Sequence, residues 1–240
     1  MPARKLLLTI LLGGLLAGLG TAVFHTIVTE PIIDQAITLE EMRHTDEPES
    51  EPVVSRDDQK KGLFVGWAAL GFTWATLLGG IYSLGRTRRW LGADPRIPLF
   101  LAVVGFCVFA LVPGLKYPAN PPGVGSPETI DFRQQMFVAS WVLGVMGALM
   151  AAMVAGRLSS GTIGRVVIGV SIYAAWSVAL FIALPANPDP ITMPMALVSE
   201  FRVRSLLGLA LFWVLLGVAF SWSAGRQSGA PVRLSSQPIS

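Results

Sequence analysis

Six apolar runs, each long enough to cross a lipid bilayer as a helix, dominate this chain of 240 residues. A transmembrane helix needs about 20 consecutive apolar residues, and its backbone amides are paired within the segment. The runs are almost free of charged side chains and cover residues 6–28, 62–84, 97–115, 136–156, 163–184 and 205–223. This pattern predicts an all-α integral membrane protein whose single domain is a six-helix transmembrane bundle.

The composition fits a membrane protein and excludes an ordinary soluble fold. Charged residues make up 14% of the chain and apolar residues 52%, against roughly 25% charged residues in soluble domains. The basic cluster of Arg86, Arg88 and Arg89 lies between two apolar runs, so we interpret it as a topology signal at a lipid surface rather than a nucleic-acid site. The single cysteine, Cys107, lies within an apolar run, which predicts packing and excludes an internal disulfide.

The first apolar run fits two interpretations. It follows Arg4 and Lys5, as in the basic start of a secretory signal peptide. It continues to Val28, however, which is longer than the usual apolar core of a signal peptide, and Ala17 and Ala22 form no convincing cleavage site. We therefore expect helix 1 to be retained. If it were removed, five helices would remain.

Charged residues are sorted between alternate inter-helix segments, and this sorting predicts the orientation. The N-terminus, residues 85–96, residues 157–162 with Arg165, and the C-terminal tail hold 10 of the 18 basic residues and one acid, Asp94. The other three segments hold 14 of the 15 acids and 8 basic residues. Cytoplasmic loops are enriched in Lys and Arg, so we expect both termini, including the tail at residues 225–240, in the cytoplasm.

The first outward loop, residues 29–61, is long, acidic and interrupted by proline. Such a stretch cannot form a packed core by itself, so we predict a solvated and partly disordered loop. The alternative interpretation is an acidic funnel that raises the local concentration of cations at the mouth of a pathway.

The three outward loops share a plan that suggests three repeated helical hairpins. A proline stands near the end of each outgoing helix, at Pro31, Pro113 and Pro185, and basic residues precede each returning helix. The sequence Pro-Ala-Asn-Pro occurs at residues 118–121 and again at residues 185–188. Proline also ends helices at membrane surfaces for reasons of hydrogen bonding alone, so a true repeat and a chance likeness both stay open.

One long run resembles part of a known family. The run VPGLKYPANPPGVGSPETID at residues 112–131, here called the signature loop, together with Arg133, resembles the characteristic loop of the CbtA family of predicted cobalt transporter subunits. Two further stretches, EPIIDQA at residues 30–36 and the last hairpin with its LP, FR and SL pairs, also resemble that family. Asp34 departs from the pattern, because the family usually has glutamate there.

The resemblance implies a membrane subunit that takes up Co²⁺ for corrin and cobalamin synthesis across the bacterial cytoplasmic membrane. It also implies a small His-rich single-helix partner, CbtB, with Co²⁺ as the transported ion and no permanently bound cofactor. No nucleotide-binding loop occurs in the chain, so coupling to ATP would need another polypeptide. A homo-oligomer is compatible with the sequence.

Imidazole and carboxylate groups are the side chains expected to bind Co²⁺. His25 is the first candidate, because it lies well inside an apolar run, where ionisable residues are costly and often functional. If the helix continues, Thr29 and Glu30 lie about one turn further out. The predicted metal site comprises His25, Glu30, Asp34, Glu40 and Glu41. The alternative for His25 is an interfacial histidine that hydrogen bonds to a neighbouring helix.

Several residues of the signature loop match the family by position. They are Lys116, Tyr117, Asn120, Glu128, Asp131 and Arg133, and Arg202 of the last hairpin joins them. We expect Glu128 and Asp131 to be able to pair with Lys116 or Arg133. The crowding of glycine and proline predicts a defined backbone, so we favour a role in folding or gating over direct metal binding or docking of the partner.

Other candidates are better explained by structure than by metal binding. Thioethers suit Cu⁺ better than Co²⁺, so we predict packing for five methionines, Met146, Met150, Met153, Met193 and Met195. His44 is interpreted as a solvated loop residue. Small residues permit close helix contacts, which we expect at Gly13, Gly14, Gly18, Gly144 and Gly147.

These features predict a metal-ion permease rather than an enzyme, since the chain has no His-Glu-x-x-His and no Gly-x-Ser-x-Gly motif. Two alternatives stay open. One is a non-transporting scaffold or assembly subunit for a metal-binding partner, and the other is a permease for a different divalent metal such as nickel.

Overall fold

The computed structural model describes residues 3–43, 54–88, 91–92, 94–158 and 161–228. These residues form eight α-helices and no β-strand: α1 (Ala3–Phe24), α2 (Glu30–Arg43), α3 (Arg56–Thr87), α4 (Ile97–Phe106), α5 (Val112–Lys116), α6 (Ile130–Leu158), α7 (Thr162–Ala183) and α8 (Met195–Ser228). Two π-helical turns, His25–Thr29 and Cys107–Leu111, join α1 to α2 and α4 to α5. A short 3-10 turn, Pro127–Thr129, precedes α6.

Among the described residues, six helical segments are long and apolar enough to cross a membrane, which confirms the predicted all-α six-helix bundle. Their bounds are Ile10–Arg43, Arg56–Thr87, Ile97–Lys116, Pro127–Leu158, Thr162–Ala183 and Met195–Arg226. Several of these segments are longer than predicted, because their polar first and last turns are helical as well. At the N-terminal side the difference is largest for α8, which begins ten residues before the predicted start at residue 205.

The first helix does not end at residue 28 as predicted. After the π turn it continues as α2 to Arg43, and α3 begins at Arg56. The described part of the predicted loop at residues 29–61 is therefore mostly helical. Pro31 suggests a helix end, but proline is tolerated in the first turn of a helix. His44 and the acids that follow it lie outside the described residues, as does the tail beyond Ser228.

Both π turns stand directly before a proline-containing helix. In each turn the carbonyl of the first residue, His25 or Cys107, accepts a hydrogen bond from the N–H five residues later. The second residue of the following helix is Pro31 in one case and Pro113 in the other. Proline has no N–H to donate, and a widened turn is one way for a helix to absorb that missing bond.

Side chains of neighbouring helices use carbonyl groups in both π turns. Arg204 donates to the Val28 carbonyl, and Trp141 Nε1 donates to the Phe109 carbonyl at 3.0 Å. The first two hairpins therefore share a π turn that is followed by a proline and contacted by a side chain of another helix. Pro185, in contrast, follows the end of α7, and no π turn precedes it. The threefold repeat stays a prediction.

α1 packs against α3 and α8 at glycine residues. A Cβ at Gly18 would lie 2.1 Å from the Trp67 carbonyl oxygen, and a Cβ at Gly14 would lie 2.3 Å from the Gly71 carbonyl oxygen. Such approaches are available only to residues without a side chain. The predicted close contacts are confirmed here and also at Gly13, Gly144 and Gly147.

Replacing Gly18 with alanine is expected to lower the free energy of unfolding by about 1–3 kcal/mol, the usual effect of overpacking. The group in its way is a helical carbonyl, which cannot rotate aside. Denaturant unfolding of the purified chain in detergent measures the change. Gly66→Ala in α3 is the matched control, because a Cβ there meets no atom within 4 Å. Equal stability of the two variants would contradict this packing.

α8 is the central helix of the bundle. Its side chains Phe212, Trp213 and Leu216 are buried in one core with residues of α1, α3 and α4. The ring centroid of Trp74 lies 4.6 Å from that of Phe109 and 5.0 Å from that of Trp213. These aromatic contacts hold α3, the second π turn and α8 together.

α6 and α7 form a hairpin at the edge of this core. Leu180 is the single buried residue of α7. The predicted packing of methionines is wrong for Met146 and Met153 of α6 and for Met195, which are exposed, whereas Met193 is buried as predicted. Exposed apolar side chains on a membrane helix can face lipid, so the apolar run that predicts α6 does not require these methionines to be packed inside the chain.

Candidate metal-handling site

His25 lies in the first π turn, within the first membrane-spanning segment, and only 8% of its surface is exposed. Its Nδ1 is 2.9 Å from the Thr29 hydroxyl, and its ring stacks on Trp67 with centroids 5.0 Å apart. α8 approaches the same ring at Gly208, where a Cβ would lie 2.3 Å from Nε2. The hydrogen-bond partner therefore belongs to the same helical segment, and the neighbouring helices contribute packing.

The second ring nitrogen of His25, Nε2, is buried and has no hydrogen-bond partner. Buried polar atoms without a partner are uncommon and often mark a functional role. A ligand that approached Nε2 from the Gly208 side would have to displace α8. The space around His25 therefore fits the imidazole without a bound ligand, and Nε2 has no hydrogen-bond partner.

Glu30 and Asp34, the predicted carboxylate ligands that follow His25 in the chain, are held in ion pairs. Arg56 Nη2 is 2.5 Å from Glu30 and 2.9 Å from Asp34, and Lys60 Nζ is 3.1 Å from Asp34. Glu30 is buried, while Asp34 is partly exposed. These bonds tie the start of α2 to the start of α3 and neutralise the two carboxylates.

The other two predicted ligands lie further along α2. The Glu40 carboxylate is packed against Gly123 of the signature loop, and Glu41 is exposed. Within the described residues, no group of three or more His, Cys, Asp or Glu side chains is arranged to hold a metal ion. The structure therefore does not bring the five predicted ligands into one site, and their part in metal handling stays a prediction.

Three chain segments meet at this end of the bundle: α2, the signature loop and residues 184–194, here called the final loop. Together they form what we call the cap. A small buried core holds them, made by Val124, Met193 and Val198 with Leu39 of α2 packed against it. The Tyr117 hydroxyl donates to the Pro185 carbonyl at 2.7 Å. The signature loop is therefore folded against its neighbours.

Asp189 of the final loop is the most enclosed carboxylate of the cap, with 1% of its side chain exposed. It accepts hydrogen bonds from the Thr129 hydroxyl at 2.5 Å and the Ser126 N–H at 3.4 Å, and Arg133 Nε lies 3.1 Å away. The Thr129 hydrogen bond, the Ser126 N–H and the positive charge of Arg133 lower the pKa of Asp189 from its ordinary value of 3.8. Asp189 thus joins the two loops.

The predicted pairing of Arg133 and Lys116 with Glu128 or Asp131 is wrong. Arg133 pairs with Asp189, and Lys116 donates to the Phe181 carbonyl at 2.8 Å. Glu128 and Asp131 are exposed in the short turn before α6 and in its first turn, where acids are favoured by the helix dipole. Sequence reasoning missed Asp189, although a single acid between two prolines after the second Pro-Ala-Asn-Pro motif was a usable signal.

Two glycines give the signature loop its defined backbone. Gly123 has a φ of 74° and Gly125 a φ of 112°, both in the region that favours glycine. A Cβ at Gly125 would also lie 2.5 Å from Arg133 Nη1. The loop conformation and the Arg133 ion pair therefore depend on each other, which supports the predicted folding role.

A cavity of about 580 Å³ lies between the signature loop, α6 and α8. Its polar lining consists of Tyr117, Asn120, Arg133, Gln134 and Asn187, and the rest is apolar. Arg202 of α8 donates to Asn120 Oδ1 at 2.8 Å. Arg202 forms no ion pair with the carboxylates that the structure describes, and its Nε is buried without a partner.

A comparison with known protein families identifies the family to which this chain is similar. The family model described as "Probable cobalt transporter subunit (CbtA)" matches residues 3–225, from the start of α1 into the last turns of α8. No curated protein and no solved structure matches the chain. The match covers nearly the whole chain and includes both loops of the cap. With its six membrane-spanning helices, this multi-pass membrane protein belongs to the CbtA family of probable cobalt transporter subunits.

Proposed function

We propose that this chain is the membrane subunit of a Co²⁺ uptake transporter in the bacterial cytoplasmic membrane, where it supplies cobalt for corrin and cobalamin synthesis. The observation that carries the proposal is the family match over residues 3–225. In this proposal the cap faces outward and both termini face the cytoplasm. The excess of acids in the outward segments, 14 of the 15 in the chain, supports attraction of cations to that side.

The ion-paired carboxylates beside His25 suit a transient metal site rather than a permanent one. Glu30 and Asp34 are held by Arg56 and Lys60, so an arriving cation would compete with these two basic side chains. His25 would then supply a nitrogen ligand once α8 moves at Gly208. Glu40 and Glu41 of α2 would attract the ion before it reaches this position.

Further ligands would come from another subunit. The described residues contain no arrangement of three metal-binding side chains, and a stable Co²⁺ site needs several nitrogen or oxygen ligands. A small His-rich single-helix partner of the CbtB type would supply imidazoles next to the membrane. Lipid and such a partner are the proposed neighbours of this chain, and a homo-oligomer is compatible with them.

Replacing His25 with alanine is expected to lower cobalt uptake about tenfold, the usual effect of losing a residue that binds or orients a metal ligand. The experiment uses bacterial cells without other cobalt uptake that express the chain with its neighbouring genes. Accumulation of radioactive Co²⁺ is the measurement. Undiminished accumulation in His25→Ala cells would contradict the role of His25, and no accumulation with the unmodified chain would contradict the proposed function.

Two threonines of the first helix provide a matched pair for the same assay. The Thr29 hydroxyl contacts His25 Nδ1, whereas the Thr26 hydroxyl donates only to its own helix, at the Ala22 carbonyl. Thr29→Val should therefore reduce uptake through the loss of imidazole orientation. Thr26→Val removes an equal hydroxyl one residue from His25 and should leave uptake unchanged.

A non-transporting scaffold for a metal-binding partner is the second candidate function. The lack of a three-ligand group among the described side chains favours it. It predicts that the purified chain binds no Co²⁺ in calorimetry and moves none into liposomes, even though its deletion reduces uptake in cells. Competition by excess Ni²⁺ in the uptake assay separates a cobalt permease from a nickel permease.

A further inference from the structure

The two Pro-Ala-Asn-Pro motifs meet at the cavity under the cap. The chain has only two asparagines, Asn120 and Asn187, and each is the third residue of one motif. Both line the cavity, one from the signature loop and the other from the final loop. The motifs therefore place two identical amide groups around one space.

The hydrogen bonds of these asparagines determine what they present to the cavity. Asn120 Oδ1 accepts from Arg202 Nη2 at 2.8 Å, and Asn187 Oδ1 accepts from the Asp189 N–H at 3.1 Å. Each amide oxygen is thus already engaged by the protein. What each amide has left to offer is its amino group, which can donate two hydrogen bonds.

The charged groups around the cavity point to the same kind of ligand. Arg133 is part of the lining, and none of the lining residues is Asp, Glu, His or Cys. Arg202 stands behind Asn120 with a buried Nε that has no partner. Asp189, the ion-pair partner of Arg133, also accepts hydrogen bonds from Thr129 and Ser126. Such a donor-rich surface favours carboxylate oxygens and disfavours a hydrated cation.

We propose that this cavity binds a small organic carboxylate and, on the basis of the proposed function, that cobalt reaches the chain as its complex with such a carboxylate. In this inference the acidic side chains of the outward segments attract the cation only after the complex is bound here and the ion is released. The cavity, at about 580 Å³, is within the usual range of about 300–1,000 Å³ for small-molecule sites. The amide N–H groups of Asn120 and Asn187 bind carboxylate oxygens that the metal does not use. Arg133 lines the same space while it stays paired with Asp189. Such a complex brings its own metal ligands, which fits a chain whose described side chains form no three-ligand group.

Citrate is a suitable probe, because it has three carboxylates and its one-to-one complex with Co²⁺ keeps a net negative charge. Calorimetry of the full-length purified chain in nanodiscs compares cobalt citrate, citrate alone and Co²⁺ in chloride. We expect cobalt citrate to bind most tightly. Asn120→Asp and Asn187→Asp replace a donor with an acceptor of nearly the same shape, so each should weaken that binding at least about tenfold.

Gln135→Glu is the matched control for these variants. It adds the same charge next to the lining residue Gln134, and Gln135 itself is outside the lining. Its affinity for cobalt citrate should equal that of the unmodified chain. Thermal unfolding of all variants checks that the cap is folded. Equal binding of Co²⁺ in chloride, or unchanged affinity in both asparagine variants, would overturn the inference.

Uptake in cells separates this inference from the proposed function. Cells given radioactive cobalt with citrate should accumulate more than cells given cobalt chloride, and Asn120→Asp should remove the difference. If cobalt chloride is accumulated equally well, the carboxylate inference fails while the proposed function stands. If cobalt citrate binds the purified chain but no cobalt enters cells in either form, the carboxylate-binding role of the cavity is supported and the proposed function fails. Equal affinity for citrate without cobalt would overturn the cobalt part of the inference.

Discussion

Gly208→Ala is expected to displace the His25 imidazole from its place beside Trp67. A Cβ at this position would lie 2.3 Å from Nε2 and 2.4 Å from Cε1, which is well inside van der Waals contact. The ring cannot simply turn away, because it is stacked on Trp67 and bonded through Nδ1 to Thr29. We expect the free energy of unfolding to fall by about 1–3 kcal/mol, as in other overpacked cores.

A double-mutant cycle measures this contact directly. His25→Ala removes the group that the new methyl would strike, so Gly208→Ala should be tolerated much better in that background. Gly80→Ala is the control, since a Cβ there meets no atom within 4 Å. Mass spectrometry after histidine modification gives a second readout, because a displaced His25 should react faster. Strict additivity of the two substitutions would show that Gly208 does not confine the imidazole.

The sequence identifies His25 as an unusual residue, but it does not predict which residues of other helices surround its side chain. An ionisable group within an apolar run can be recognised from the sequence, and so can Thr29 one helical turn later. Gly208 is far away in the chain, and nothing in its neighbourhood marks it as the residue that faces an imidazole. Contacts between distant helices depend on their rotation and crossing, which an apolar run leaves undetermined.

The fold, too, is predictable from the sequence where it depends on local hydrogen bonds and not predictable elsewhere. Chain length, hydropathy and charge predict six helices because each helix satisfies its own backbone hydrogen bonds. They do not predict α2, because Pro31 is compatible with a helix end and with a first helical turn. The π turn at His25–Thr29, which allows the helix to continue, has no recognisable sequence pattern here.

In the cap, family resemblance predicts which residues matter but not which residues they contact. Resemblance singles out Arg133, Asn120 and Arg202, but it does not supply their partners. The partner of Arg133 is Asp189, 56 residues later in the chain, rather than the nearby Glu128 or Asp131. Local acids are the natural expectation for an exposed loop, whereas here the two loops fold onto each other and bury the Asp189 carboxylate.

Asp189→Asn is expected to loosen the signature loop from the final loop. The substitution keeps the shape of the side chain and an acceptor for Thr129, but it removes the negative charge opposite Arg133. Backbone amides of residues 117–129 should then exchange hydrogen roughly tenfold faster, because the ion pair between Asp189 and Arg133 is lost. Asp131→Asn is the control, because Asp131 is exposed and forms no ion pair with Arg133.

The dependence of this exchange on pH distinguishes an ionic contact from simple packing. The pKa of Asp189 in the folded cap is lowered from 3.8, so its carboxylate stabilises the cap above that ordinary value. The stabilisation is lost as the pH falls through the lowered pKa of the folded state. In the unmodified chain, protection of residues 117–129, corrected for intrinsic exchange, should therefore fall as the pH drops below about 4. Asp189→Asn should show low protection and no such fall, and parallel pH profiles for the two proteins would show that Asp189 holds the cap without its charge.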